Sequence, residues 1–165
     1  MLTRQWPALC AWGAGLIHLA VAAGSSPLWA VLLGAMGALE LAWGVYALRS
    51  GRMTRPRVVM GAALGAIGVS GIAGLSGSFA GVPLAAAAVL LLVIAFAAAA
   101  VLRAERRRSP RRSTYEASRQ RPGRTLLGLL AGAALVAGLT TPALALTDAG
   151  EHAVPHGETS RHGGH

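Results

Sequence analysis

The chain has no lysine, a single cysteine, and only 13% charged residues across 165 positions. Each scarcity excludes something. One cysteine, Cys10, forms no internal disulfide, so no covalent staple holds the fold, and its setting reads as a buried apolar thiol. A soluble domain of this length would carry about 25% charged residues. The missing charge is missing in blocks, and the blocks are long enough to cross a bilayer, whose hydrocarbon core of about 30 Å takes ~20 apolar residues of helix. No P-loop, no H-E-x-x-H and no nucleophile–base set appears, so no enzyme is expected.

Five apolar runs stand out, at about 8–24, 28–48, 58–78, 82–102 and 125–146. In lipid the backbone must satisfy its own hydrogen bonds, which makes helices the expected form. The fold class is therefore an all-α polytopic transmembrane bundle of five spans. Its 15 basic residues are all arginine, against six acids, a net charge of +9. In a soluble protein that balance would point to nucleic acid; here the arginines mark one side of a membrane, and no nucleic-acid partner is expected. Arg4 precedes the first span. Arg49, Arg52, Arg55 and Arg57 lie between the second and third, and the run from Arg103 to Arg124 between the fourth and fifth. The connections at 23–27 and 76–83 carry none. Positive charge resists translocation, so the expected topology is N-in and C-out, with only Arg161 across the membrane. Alanine- and arginine-rich, lysine-free composition fits a GC-rich genome and a bacterial plasma membrane.

The first span reads as an anchor. The fifth has the layout of a secretory signal, with a basic start, an apolar run and "ALA" at 143–145 after Pro142. Two readings stand, a fifth membrane helix with an outward tail or a leader cleaved after Ala145. The first four spans also admit a parallel repeat of one hairpin, with Pro27 matching Pro83 and Arg49 matching Arg103. The third span is glycine-laden, at Gly61, Gly65, Gly68, Gly71, Gly74 and Gly77. Small residues let helix backbones approach, so this row is expected to pack against neighbouring helices, of this chain or of a partner. The loop at 103–124 has nine arginines and no apolar period. Arg103, Arg106, Arg107, Arg108, Arg111 and Arg112 are expected to lie against anionic lipid headgroups, each contributing about 1 kcal/mol. Ser109, Ser113 and Thr114 amid these arginines admit a kinase target or docking site instead.

Two ionisable residues lie inside spans, His18 in "GLIHLA" and Glu40 in "LELAWG". Charge at membrane depth is costly, so such residues face the bundle and have partners or roles. Consecutive antiparallel helices bring the two near one another, although counting residues from the outer ends leaves a depth offset of roughly 9 Å. A structural polar pair, a proton or ion path, and separate partners are the three readings. "AGLIHLAV", the "PLW" after the short loop, and "LELAWGVYALRSG" resemble the first hairpin of small actinobacterial-type integral membrane proteins of unknown function. Gly15, His18, Leu19, Glu40 and Trp43 carry the resemblance, which covers about the first 50 residues. The outer loop "AAGSS" departs from it in lacking acidic and histidine residues. The resemblance implies a membrane hairpin and lends no activity.

Four of the five histidines, His152, His156, His162 and His165, fall in the last stretch, "EHAVPHGETSRHGGH". Imidazole is the commonest metal ligand, and with no thiol or thioether nearby the set suits zinc or copper(II). Pro155, Gly157, Gly163 and Gly164 oppose a helix, so ligands would gather from a flexible chain and bind moderately. The leading expectation is a non-enzymatic integral membrane protein with an exported, metal-capturing tail at 147–165. The alternatives are an accessory subunit of a larger membrane complex or homo-oligomer, and a small proton- or ion-coupled transporter using His18 and Glu40. Calorimetry of the purified chain with zinc or copper(II) should show binding that disappears on truncation after Leu146. Equal heats from the intact and truncated chains would remove the tail as a metal site.

Overall fold

The computed structural model describes residues 2–50, 53, 55–76, 81–107 and 122–151. They form six helices: α1 Leu2–Ala23, α2 Pro27–Ser50, α3 Pro56–Leu75, α4 Gly81–Arg107, α5 Pro122–Ala145 and the single turn α6 Asp148–Glu151. The first five are each long and apolar enough to cross a membrane. The all-α, five-span expectation stands, with shifted bounds. Helix α1 starts at Leu2 rather than near residue 8, and α4 runs to Arg107 rather than 102. Hydropathy marks the greasy stretch, whereas the hydrogen-bond ladder continues through the polar turn beyond it. Arg106 and Arg107 occupy the last turn of α4, where cations complement the helix dipole.

Helix α1 is the hub. It packs on α2, α4 and α5, while α3 packs on α4. Ala11, Ala14 and Ile17 of α1 meet Ala87, Leu90, Leu91 and Ile94 of α4 in one buried cluster. A parallel repeat would give α1 and α3 like settings; instead α1 is enclosed and α3 is peripheral. Trp6 ties α5 to α1 by donating its indole N–H to the Gly128 carbonyl at 3.0 Å.

Glycine governs the α1–α2 crossing. A Cβ on Gly37 would lie 2.7 Å from the Gly15 carbonyl oxygen, and one on Gly15 would lie 2.9 Å from that of Gly37. Seven residues along α2, Gly44 makes room for the Trp12 indole. The expected glycine packing row on α3 is corrected within this chain. A Cβ added to Gly61, Gly65, Gly68 or Gly71 would meet nothing within 4 Å, and one on Gly74 would make only ordinary contacts with Leu84 at 3.9 Å and Gly81 at 4.0 Å. Gly77 lies outside the described residues. The buried face of α3 is Ala63, Ala66, Ser70 and Ala73. Their spacing of three, four and three keeps to one side of the helix, and the exposed glycines occupy the other.

At the far end of α5, Thr147 turns the chain back. Its N–H and hydroxyl both donate to the Leu144 carbonyl, at 3.1 and 2.7 Å, and its own carbonyl accepts from Gly150 N–H at 2.8 Å. The carboxylate of Asp148 settles against Gly24, the residue after α1. Ala143 to Ala145, the "ALA" of the signal-like pattern, form the last turn of α5, and Ala143 is buried.

The two glycine rows should respond differently to bulk. Gly37→Leu overpacks the α1–α2 crossing and should cost about 1–3 kcal/mol. Gly65→Leu should stay within about 0.5 kcal/mol. Unfolding in mixed micelles compares them, and a reversed order would contradict the packing described.

Candidate functional site

The α1–α2 crossing delivers an ionisable pair one turn further on. His18 is fully buried, and its Nδ1 lies 2.8 Å from Oε2 of Glu40. The 9 Å offset expected from residue counting is closed. In a helix each Cα–Cβ bond tilts toward the N-terminus. His18 lies nearer the α1–α2 turn and leans away from it, while Glu40 lies deeper and leans toward it. The two side chains converge because their helices are antiparallel.

A third group completes the site. Nε2 of His18 lies 2.9 Å from Oγ of Ser70, reaching across to α3. Oγ in turn donates to the Ala66 carbonyl one turn back, at 2.8 Å. Sequence reasoning missed Ser70, although two signals were available. It is the only hydroxyl in "PRVVMGAALGAIGVSGIAGL", and it lies as far from Leu75, the end of α3, as His18 does from Ala23, the end of α1. Spans that start on the same face put equal counts at equal depths.

Proton counting constrains what this arrangement can hold. The Ser70 hydroxyl has one proton. Donated to Ala66, it leaves Oγ to accept from an Nε2–H. Nδ1 then either receives the Glu40 proton from Oε2 or carries its own and pairs with a carboxylate. Both versions have no net charge, which the apolar surroundings favour. Among the described residues the other oxygen, Glu40 Oε1, is buried without a hydrogen-bond partner, and its side chain retains 11% exposure. Thr140 Oγ1 is also buried and unpartnered, away from this cluster on α5.

The order carboxylate, imidazole, hydroxyl is that of a serine-hydrolase triad. The surroundings differ. Ser70 is 2% exposed and sits within a helix, whose backbone N–H groups are committed to the preceding turn. They offer no oxyanion donors.

The remaining predicted residues are dispersed. Cys10 is buried beside a cavity of about 50 Å³ between α1, α4 and α5, walled by Trp6, Val93 and Val136 among others. Arg103, Arg106 and Arg107 are exposed on the end of α4. Arg108, Arg111 and Arg112 lie outside the described residues, as do His152, His156, His162 and His165. Among the described residues no three His, Cys, Asp or Glu side chains gather as metal ligands. No family model, curated protein or solved structure matches this chain.

A buried pair of this kind is more damaging to halve than to remove. His18→Leu alone, which strands Glu40, should cost about 2 kcal/mol. Adding Glu40→Leu should recover part of that loss. A double variant as unstable as the sum of the singles would show the pair to be uncoupled.

Proposed function

We propose that this chain is a small, non-enzymatic, ion-coupled protein of a bacterial plasma membrane, with His18 and Glu40 as its working groups. One observation carries the reading: a carboxyl held by a fully buried imidazole keeps a second oxygen, Oε1, without a partner. A purely structural tie favours complete satisfaction, because an orphaned acceptor at membrane depth costs free energy and returns none. A group that gains and loses an ion needs a free valence. The absence of oxyanion donors around Ser70 supports the non-enzymatic part. The arginine distribution supports N-in, C-out, with the end of α4 against anionic lipid.

A second reading is favoured by α3. Gly61, Gly65, Gly68 and Gly71 are exposed, and a Cβ added to any of them would meet nothing within 4 Å among the described residues. Glycine weakens a helix by about 1 kcal/mol per residue relative to alanine, and among the described residues no close approach offsets that. A further membrane helix laid on this face, as in an accessory subunit, would supply the offset. Metal capture by the tail is a separate proposal, resting on its four histidines.

Vesicles enclosing a pH- or sodium-sensitive dye test the first reading. The reconstituted wild-type chain should dissipate an imposed ion gradient faster than empty vesicles, and Glu40→Gln should return the rate to the empty-vesicle value. Wild-type vesicles no leakier than empty ones would remove it.

A further inference from the structure

The ion-coupled reading leaves the ion open, and the site narrows it. A hard metal cation such as calcium or magnesium collects about six or more oxygen ligands. Here both ring nitrogens of His18 are already engaged, and the one spare acceptor of the cluster is Glu40 Oε1. A proton needs only one acceptor. Among the described residues the other titratable groups lie elsewhere: Asp148 of α6 sits against Gly24, six residues along from His18. Helix α4 from Gly81 to Val101 and α5 from Leu126 to Ala145 contain no ionisable side chain. On α2, Tyr46 is exposed and Arg49 lies in the last turn. On α3, Arg57 is at the opposite end from Ser70, and on α1, Cys10 lies two turns from His18.

We propose that the site binds a single proton, and that Ser70 registers its presence by switching the partner of its hydroxyl. In the loaded state the imidazole–carboxyl pair holds two protons, one at Nε2 and one on Glu40 Oε2, donated to Nδ1. Nε2–H donates to Ser70, and Ser70 donates to Ala66. On release the Nε2–H bond breaks, its electron pair stays on nitrogen, and the proton leaves to water. The other proton passes from Oε2 to Nδ1, which then donates to the Glu40 carboxylate. Nε2 is then an acceptor, so the Ser70 O–H turns from the Ala66 carbonyl to the imidazole. Recharging is the reverse at the same atom: a proton from water returns to Nε2, the Nδ1 proton passes back to Glu40 Oε2, and the Ser70 O–H turns back to Ala66. Discharge at Nε2 requires water between α1 and α3, where Ser70 is 2% exposed. On that side α3 packs on α4 and is tied to His18 by this one hydrogen bond.

The inference rests on the ion-coupled reading, and infrared titration of the full chain in lipid nanodiscs separates their failures. The carboxyl band of Glu40 is identified by its loss in Glu40→Gln. As pH is raised it should report release of one proton per chain, identically in sodium, potassium or choline chloride. Ser70→Ala strands the Nε2–H of the loaded state, which costs more than stranding the bare nitrogen of the released state. That variant should hold the proton about tenfold more weakly, a displacement of about one pH unit, and Ser70→Thr should restore it. A Glu40 band that moves when sodium replaces choline at fixed pH overturns the proton assignment and leaves the ion-coupled reading in place. A band that never changes overturns both. A Ser70→Ala variant that titrates like wild type overturns the part given to Ser70.

Discussion

An imidazole sealed from water must place both of its ring nitrogens, and His18 places them on two different helices. That constraint organises the bundle. Lipid is as apolar as the side chains facing it, so no hydrophobic effect drives one span against another. Close backbone approach and polar ties bring the spans together instead. The Gly15–Gly37 crossing provides the first between α1 and α2. One turn further on, His18 provides the second, holding Glu40 of α2 and Ser70 of α3 from the central helix.

The spans and their number were legible because crossing a bilayer demands about 20 apolar residues in a row, whatever the packing. The candidate pair was legible because ionisable residues at that depth are costly and therefore few. Residue counting gives the backbone offset between them, which the two side chains bridge. It treats side chains as points on a cylinder, and the tilt of each toward its own N-terminus brings residues from antiparallel helices together. Ser70 was harder to see. A serine in a helix commonly satisfies itself on the preceding turn, as Ser70 does on Ala66, so its type alone gives no sign of a second partner.

The glycines teach the complementary lesson. Gly61, Gly65, Gly68 and Gly71 of α3 face away from the other described helices, while the inconspicuous Gly15, Gly37 and Gly44 set the crossing in the first hairpin. Density of glycine along a helix does not say which side a neighbour takes. Among the described residues, the buried side of α3 is marked by alanines and one serine at helical spacing. It is a face small enough to let α4 close in while leaving the hydroxyl within reach of His18.

The common depth of His18 and Ser70 has an electrical meaning. Each lies in the second turn from the membrane face at which its helix ends. At about 1.5 Å per residue that is roughly a quarter of the way through a 30 Å core. A full crossing is worth about 2.3 kcal/mol per charge for every 100 mV. A unit charge reaching the imidazole from that nearer face therefore does only about a quarter of that work. One reaching it from the opposite face does the remainder, so in the proposed ion-coupled role a membrane voltage would bias from which compartment the site is charged.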